Sequence, residues 1–162
     1  IRSIINTIIV DEHLDFSRIR IGIMIETPSA MMSLHQFRNV DFFSIGTNDL
    51  AQFLFAADRE NVNLDSYREA ALPLLIYCIK NIAAQCSSLK KDVTVCGEIA
   101  AIPEAVPLLM GAGIRALSVQ PSMLHKVRKI IESKTIDQVI RETNDYLKLF
   151  NFTQDDSSRP IF

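Results

Sequence analysis

The sequence predicts an α/β fold in which four short strands, each followed by helices, form one parallel sheet. Short runs of Ile, Val, Leu and Phe alternate with longer stretches of helical periodicity along the chain. A continuous apolar run indicates a strand that is buried on both faces, which is typical of parallel sheets. Parallel neighbours are joined by right-handed crossovers through helices, so alternation of the two patterns predicts such a sheet.

The strands are predicted near 20–26, 41–46, 93–96 and 115–119. Helices are predicted near 1–12, 27–38, 66–87, 103–111, 121–133 and 135–150, with a polar connection at 60–65. A further short helix, which carries Leu50 to Ala57, is predicted after a turn at Gly46-Thr47-Asn48. Thr27-Pro28-Ser29 supplies the hydroxyl and the proline of a helical first turn, and Pro103 and Pro121 open two later helices. Gly111-Ala112-Gly113 ends a helix, because glycine adopts the left-handed geometry of such a stop.

Two architectures fit four such units, a doubly wound sheet and half of a (β/α)₈ barrel. A whole barrel needs about 250 residues, and this chain of 162 has the elements of half of one. Three strands end in chemically capable residues, which a barrel would gather at one face. A doubly wound sheet usually carries a glycine-rich phosphate loop, and the five glycines form none. The sequence therefore favours the half barrel.

The composition is that of an ordinary globular protein, with 48% hydrophobic residues, 22% charged residues and a formal net charge of −2. No apolar stretch approaches the roughly 20 residues that span a bilayer, and no basic cluster favours nucleic acid. Cys78, Cys86 and Cys96 show no metal-type spacing and are expected to be reduced thiols of a cytoplasmic protein. Because the chain starts at Ile1 within a helical pattern, we expect it to be part of a longer protein.

Two apolar runs break off at a carboxylate, Glu26 after the first strand and Asp49 just after the second. Neighbouring strands lie about 4.8 Å apart, so both carboxylates could meet on one divalent ion such as Mg²⁺. The competing interpretation is that each carboxylate only caps the helix that follows it. The residue types alone leave both interpretations open.

Four blocks follow one another in a specific order, 23–28, 40–50, 57–59 and 95–98, of which the second contains Phe42-Phe43-Ser44-Ile45-Gly46-Thr47-Asn48-Asp49-Leu50. In order and spacing they resemble the phosphoenolpyruvate-utilising enzymes. Enzyme I, the phosphoenolpyruvate–protein phosphotransferase of the bacterial sugar phosphotransferase system, is the closest in pattern, and pyruvate phosphate dikinase and phosphoenolpyruvate synthase share the blocks. The resemblance implies that 1–150 is the C-terminal half of a TIM (β/α)₈ barrel and that 151–162 is a flexible tail.

The resemblance also implies roles for the residues in these blocks. Glu26 and Asp49 would hold Mg²⁺ against the carboxylate and phosphate of phosphoenolpyruvate. Asn48 would donate to the phosphate, and Arg59 would offer its oxygens a planar charged fork. Cys96 would give a proton to the methylene carbon of the enolate, since an ordinary thiol is mostly protonated at pH 7.

Several of these roles have structural alternatives. An arginine such as Arg59 is usually solvated or ion-paired, and a lone cysteine such as Cys96 is usually a small core residue. Glu98 is implied to tune or reload the thiol proton. Departures from the family pattern leave a second hypothesis open, because Glu60 replaces a usual glycine, and Ala101-Ile102 replaces a usual Gly-Asp. The alternative is a catalytically weakened relative that dimerises or senses a metabolite.

The family also uses two arginines on early barrel strands and a histidine on a separate domain, and the matching blocks contain neither. We therefore expect that this polypeptide alone cannot complete phosphoryl transfer. In the whole enzyme, the phosphoryl group would pass to that histidine and then to a histidine-containing phosphocarrier protein, and pyruvate would be the product. A half barrel leaves two sheet edges unpaired, so we also expect either self-association, with a homodimer as the expected assembly, or dependence on the missing half of the barrel.

Overall fold

A computed structural model describes residues 3–5, 7–8, 19–57 and 65–152. The strands are β1 (Gly22–Ile25), β2 (Phe42–Gly46), β3 (Asp92–Cys96) and β4 (Ala116–Leu117). The helices are α1 (Pro28–Met32), α2 (Thr47–Phe55), α3 (Asp65–Ser88), α4 (Ala105–Gly111), α5 (Leu124–Glu132) and α6 (Ile136–Leu149). Short 3₁₀ helices cover Leu34–Phe37, Glu98–Ala101 and Pro121–Met123.

The four strands form one parallel sheet in the order β1-β2-β3-β4. Each strand pairs with the next one along the chain, with Gly22 opposite Phe42 and Gly46 opposite Cys96. Consecutive order without a reversal is the order of neighbouring units in a barrel, whereas a doubly wound sheet has a switch point. The predicted fold class, half of a (β/α)₈ barrel, is confirmed.

The two faces of the sheet differ in what covers them. Ile25, Phe43, Ile45 and Val95 point to one face and are fully buried against the helices, where they join the main hydrophobic core. The opposite face, here called the inner face, carries Met24, Ser44, Thr94 and Cys96, and Met24 keeps 48% of its surface exposed. In the described part of the chain, the helices therefore pack on one face only.

Most element boundaries agree with the sequence prediction, and the differences have local causes. The helix predicted over 27–38 is split at Ser33, whose backbone leaves the helical region with φ −108° and ψ 23°, so that α1 gives way to a 3₁₀ helix. The fourth strand is shorter than predicted, Ala116–Leu117 rather than 115–119. The 3₁₀ helix at Glu98–Ala101 was not predicted.

Some predictions fall on parts of the chain outside the description. Residues 3–5 and 7–8 are helical, as the predicted first helix requires, but the rest of 1–12 lies outside the described residues. Residues 60–64 of the predicted polar connection and 153–162 of the predicted tail also lie outside them, whereas Asp65 is the first residue of α3. None of the described helices is long and apolar enough to cross a membrane.

Candidate active site

The carboxyl ends of the first three strands lie side by side. Glu26 directly follows β1, Gly46 ends β2 and Cys96 ends β3, with Gly46 and Cys96 paired in the sheet. A Cβ atom placed on Gly46 would lie 3.0 Å from Glu26 Cβ and 3.1 Å from Glu26 Oε2. The Glu26 side chain therefore lies against Gly46, and the absence of a side chain there leaves room between Glu26 and Cys96.

The turn from β2 into α2 is tied to the end of β3. Thr47 Oγ1 donates to the carbonyl oxygen of Cys96 at 2.7 Å, and the backbone N–H of Glu98 donates to Asn48 Oδ1 at 3.2 Å. Gly97, between these two contacts, has a φ of +104°, and a Cβ atom there would overlap Thr47 Oγ1. Both the backbone conformation and the close approach require glycine at this position.

The contact with Glu98 fixes the orientation of the Asn48 amide. A backbone N–H can only donate, so the Asn48 atom that faces it must be the carbonyl oxygen. The amide nitrogen Nδ2 is then the free end, and it makes no hydrogen bond within the described part of the chain. Asn48 thus offers two N–H donors to a ligand, as the predicted phosphate contact requires.

Neither strand-end carboxylate caps a helix. The α1 cap is Thr27, whose Oγ1 accepts from the backbone N–H of Ala30 at 3.2 Å, and α2 begins at Gly46 without any side-chain cap. Asp49 lies in the first turn of α2, where the helix dipole favours a negative charge. Among the described residues, no hydrogen bond or ion pair involves the side-chain carboxylate of Glu26 or of Asp49. The capping interpretation is therefore wrong for both residues.

Glu26 and Asp49 together offer only two carboxylates to a metal ion. Within the described ranges, no group of three or more His, Cys, Asp or Glu side chains could hold a metal ion. Mg²⁺ is usually bound through one or two carboxylates, with waters and substrate phosphate oxygens completing its octahedron. Two partly buried carboxylates that have no side-chain partner among the described residues fit that cation, and they do not form a cage for a metal that needs four protein ligands.

The Cys96 thiol makes two contacts with β2. Its Sγ donates to the carbonyl oxygen of Ile45 at 3.2 Å, and Ser44 Oγ donates to Sγ at 3.5 Å. The thiol is half-buried on the inner face and does not belong to the hydrophobic core. Cys78 and Cys86 are buried in α3, and their burial raises each thiol pKa to about 11.

The three cysteines are expected to react with iodoacetamide at different rates. Only the thiolate reacts, and a thiol with a pKa near 11 is about one part in a thousand ionised at pH 8. Cys96 should therefore be alkylated at least about tenfold faster than the other two in the folded protein. Trypsin separates the three thiols into the peptides 69–80, 81–90 and 92–115, so mass spectrometry can follow each one. Equal labelling of all three before denaturation would contradict this assignment.

The roles predicted for two residues, Arg59 and Glu98, stay predictions. Arg59, together with Glu60, lies outside the described residues, so its contact with phosphate stays a prediction. Glu98 is the exposed first residue of a 3₁₀ helix, where its backbone holds Asn48, and its effect on the thiol proton also stays a prediction. Ile102, the residue after that 3₁₀ helix, keeps 42% of its surface exposed.

Sequence reasoning missed Ser44 and Thr47. Ser44 is the single polar side chain within the apolar run 42–45, and that interruption was the available signal. Thr47 carries no comparable signal, because its partner is a backbone carbonyl 49 positions away.

A cavity of about 610 Å³ lies at the opposite, amino-terminal end of the strands. Arg20, Asp92 and Arg115 contribute to its lining. The Arg20 and Asp92 side chains form a salt bridge at 2.6 Å, and Arg115 donates to the carbonyl oxygens of Met110 and Ile114. None of the candidate site residues lines this cavity, so the candidate site is the open edge at the carboxyl ends.

Comparison with known proteins gives a consistent set of similarities. A family model described as "PEP-utilising enzyme, PEP-binding domain" matches residues 2–136. A phosphoenolpyruvate-protein phosphotransferase of Mycoplasma genitalium is 36% identical over 156 residues, which are 96% of this chain and 27% of that protein. One of Listeria monocytogenes is 40% identical over 121 residues, 74% of this chain and 21% of that protein.

A Salmonella typhimurium protein named "Phosphoenolpyruvate-dependent phosphotransferase system" is 36% identical over 113 residues, 69% of this chain and 15% of that protein. The chain therefore spans well under a third of the length of each of these relatives.

Proposed function

Because this chain belongs to the phosphoenolpyruvate-utilising enzymes, we propose that it binds phosphoenolpyruvate and Mg²⁺ at the carboxyl ends of its strands, as part of a phosphoenolpyruvate–protein phosphotransferase. One observation carries the proposal. Two carboxylates without described partners, Glu26 and Asp49, flank a turn in which Asn48 presents its amide N–H groups, and Cys96 ends the neighbouring strand. Oxygen ligands for a hard cation, donors for phosphate and a thiol proton are what this substrate requires.

Each residue has a distinct task in the proposed reaction. Glu26 and Asp49 hold Mg²⁺, which when bound neutralises charge on the carboxylate and phosphate of the substrate. Asn48 donates from Nδ2 to a phosphate oxygen and so fixes the phosphoryl group beside the turn. Arg59 pairs with further phosphate oxygens in the geometry that only a guanidinium offers.

Cys96 completes the conversion of the substrate into pyruvate. When the phosphoryl group leaves for a histidine, the remaining enolate has a nucleophilic methylene carbon. The π electrons of the enolate form a new C–H bond with the thiol proton, the enolate oxygen becomes a ketone, and the S–H electrons stay on sulfur as a thiolate. The accepting histidine and the downstream phosphocarrier protein belong to the whole enzyme, which we propose to be a cytoplasmic homodimer.

A second candidate is a weakened relative that binds the substrate as a sensor without turning it over. The exposed apolar side chain of Ile102, close to the end of β3, favours this candidate because the family usually has an acid there. Substrate binding that depends on Mg²⁺, combined with no pyruvate formation by the full-length protein, would decide for the sensor. Membership of the dikinase or synthase branch would instead show as pyruvate-dependent hydrolysis of a nucleoside triphosphate.

The proposed function is tested by calorimetric titration with phosphoenolpyruvate, in Mg²⁺ and in EDTA. Phosphoenolpyruvate is expected to bind in the presence of Mg²⁺ and not in EDTA. Asn48→Ala is expected to weaken it about tenfold, because a hydrogen bond to a charged phosphate is lost. Gln36→Ala, which shortens an exposed amide side chain on a 3₁₀ helix outside the site, is the matched control and should leave the affinity unchanged. Equal affinity in Mg²⁺ and EDTA would exclude the proposed site.

A further inference from the structure

We propose that Ser44 is a positioning residue that orients the Cys96 thiol and stabilises the thiolate left after proton transfer. This inference deepens the proposed function and rests on it, because it concerns the same proton. The motivating contact is the 3.5 Å hydrogen bond from Ser44 Oγ to Cys96 Sγ across two neighbouring strands.

The register of the sheet places Ser44 next to Cys96. Ser44 pairs with Thr94, and Gly46 pairs with Cys96, so Ser44 and Cys96 lie one pleat apart on the same inner face. Their backbones are held by the β2–β3 ladder at both positions. The hydroxyl therefore reaches sulfur from the neighbouring strand, and the backbones that carry the two side chains are held in register.

The two contacts of Sγ act on different protonation states. The carbonyl oxygen of Ile45 can only accept a hydrogen bond, so it holds the protonated thiol at 3.2 Å and would repel a thiolate. The Ser44 hydroxyl can donate, and a donor binds a charged acceptor more strongly than a neutral one. Loss of the proton thus exchanges the Ile45 contact for a stronger Ser44 contact.

The carboxylates at the strand ends favour a hydrogen-bond donor beside the thiol. Glu26 follows β1, Asp49 lies on α2, and Glu98 follows β3, so each element at these strand ends contributes a carboxylate. Like charges disfavour a new negative charge on sulfur. Within the described part of the chain, Ser44 is the only side chain that donates to Sγ. Arg20 and Lys91 line the cavity at the opposite, amino-terminal end of the strands, Arg38 precedes β2, and Arg59 lies outside the described residues.

The hydroxyl is tested through the rate of Cys96 alkylation as a function of pH, read on the tryptic peptide 92–115. In Ser44→Ala, the midpoint of the rate profile is expected to move to higher pH, with an alkylation rate about fivefold lower at pH 7.5 and an unchanged plateau. Ser44→Thr retains a hydroxyl and is expected to restore the original profile. Thr94→Val, which removes the paired hydroxyl on the same face, is the matched control and should not move it.

A second readout uses the full-length enzyme. Ser44→Ala should lower kcat for pyruvate formation about fivefold and leave KM and the unfolding midpoint unchanged. An alkylation profile that overlays the wild type, or a shifted profile with unchanged kcat, would overturn the role of Ser44. Failure of the proposed function is a separate result, because it would appear as absent Mg²⁺-dependent binding in the unmodified protein.

Discussion

Asp49→Ala is expected to abolish the Mg²⁺ dependence of phosphoenolpyruvate binding and to weaken binding about 100-fold. The substitution removes one of the two carboxylates that we propose as ligands, and loss of a charged ligand is expected to cost roughly 2–3 kcal/mol of binding free energy, which corresponds to that factor. The measurement is a calorimetric titration at several Mg²⁺ concentrations. The wild-type affinity should rise with Mg²⁺, whereas the affinity of the variant should not.

Asp137→Ala is the matched control, because it separates the effect of losing a metal ligand from the effect of losing a negative charge in the first turn of a helix. Asp49 lies in the first turn of α2, and Asp137 lies in the first turn of α6, exposed and on a different helix. Both substitutions by alanine remove a favourable interaction with a helix dipole, worth about 0.3–1 kcal/mol of stability. Only Asp49→Ala should change binding. A Mg²⁺-dependent affinity that survives in Asp49→Ala would exclude this residue as a ligand.

Gly97→Ala is expected to lower the free energy of unfolding by about 2–4 kcal/mol. A side chain at a positive φ costs about 1–3 kcal/mol, and the new Cβ atom would displace Thr47 Oγ1 from the Cys96 carbonyl oxygen, which costs about 1 kcal/mol more. Urea denaturation followed by circular dichroism measures the change. Because the same displacement disturbs the Asn48 turn, affinity for phosphoenolpyruvate should fall even where the variant remains folded.

Gly113→Ala provides the comparison that isolates the steric part. Gly113 also has a positive φ, +101°, but a Cβ atom there would only touch Ala83 Cβ at an ordinary 3.4 Å. The substitution should therefore cost about 1–2 kcal/mol of unfolding free energy and leave ligand affinity unchanged. If both alanine variants lose the same stability and both bind the ligand normally, the proposed link between Gly97 and Thr47 does not exist.

The fold was predictable because its signals are local. The strand runs, the Thr27-Pro28 helix start and Gly113, which has a φ of +101°, each act within a few residues, and the structure places the strands accordingly. The left-handed geometry predicted for Gly111 was wrong, because Gly111 is the last residue of α4 and a side chain there would collide with Val139 and Thr143 of α6. The split at Ser33 was not predictable, because the helical pattern continues through it and the change to a 3₁₀ helix depends on how Leu34 enters the core.

The candidate site was predictable only in part. Glu26 and Asp49 could be named as candidates because their positions relative to the apolar runs can be counted along the chain, and their role as ligands stays a prediction. The roles of Ser44 and Thr47 depend on partners on β3 that are 52 and 49 residues away, and only the sheet register makes those contacts. A single sequence does not show which residues of a neighbouring strand the hydroxyls of Ser44 and Thr47 will contact.

The consecutive strand order also has a consequence for how the chain folds. Gly22 pairs with Phe42, Phe42 with Asp92, and Thr94 with Ala116. Each strand therefore pairs with the strand that follows it in the sequence, and the loop that the pairing closes is the segment between those two strands. Short loops close faster than long ones, and no strand must wait for a partner beyond its successor. During synthesis, each unit can therefore dock on the one that left the ribosome before it, and the turn that carries Asn48 and Asp49 can lock only once β3 has arrived.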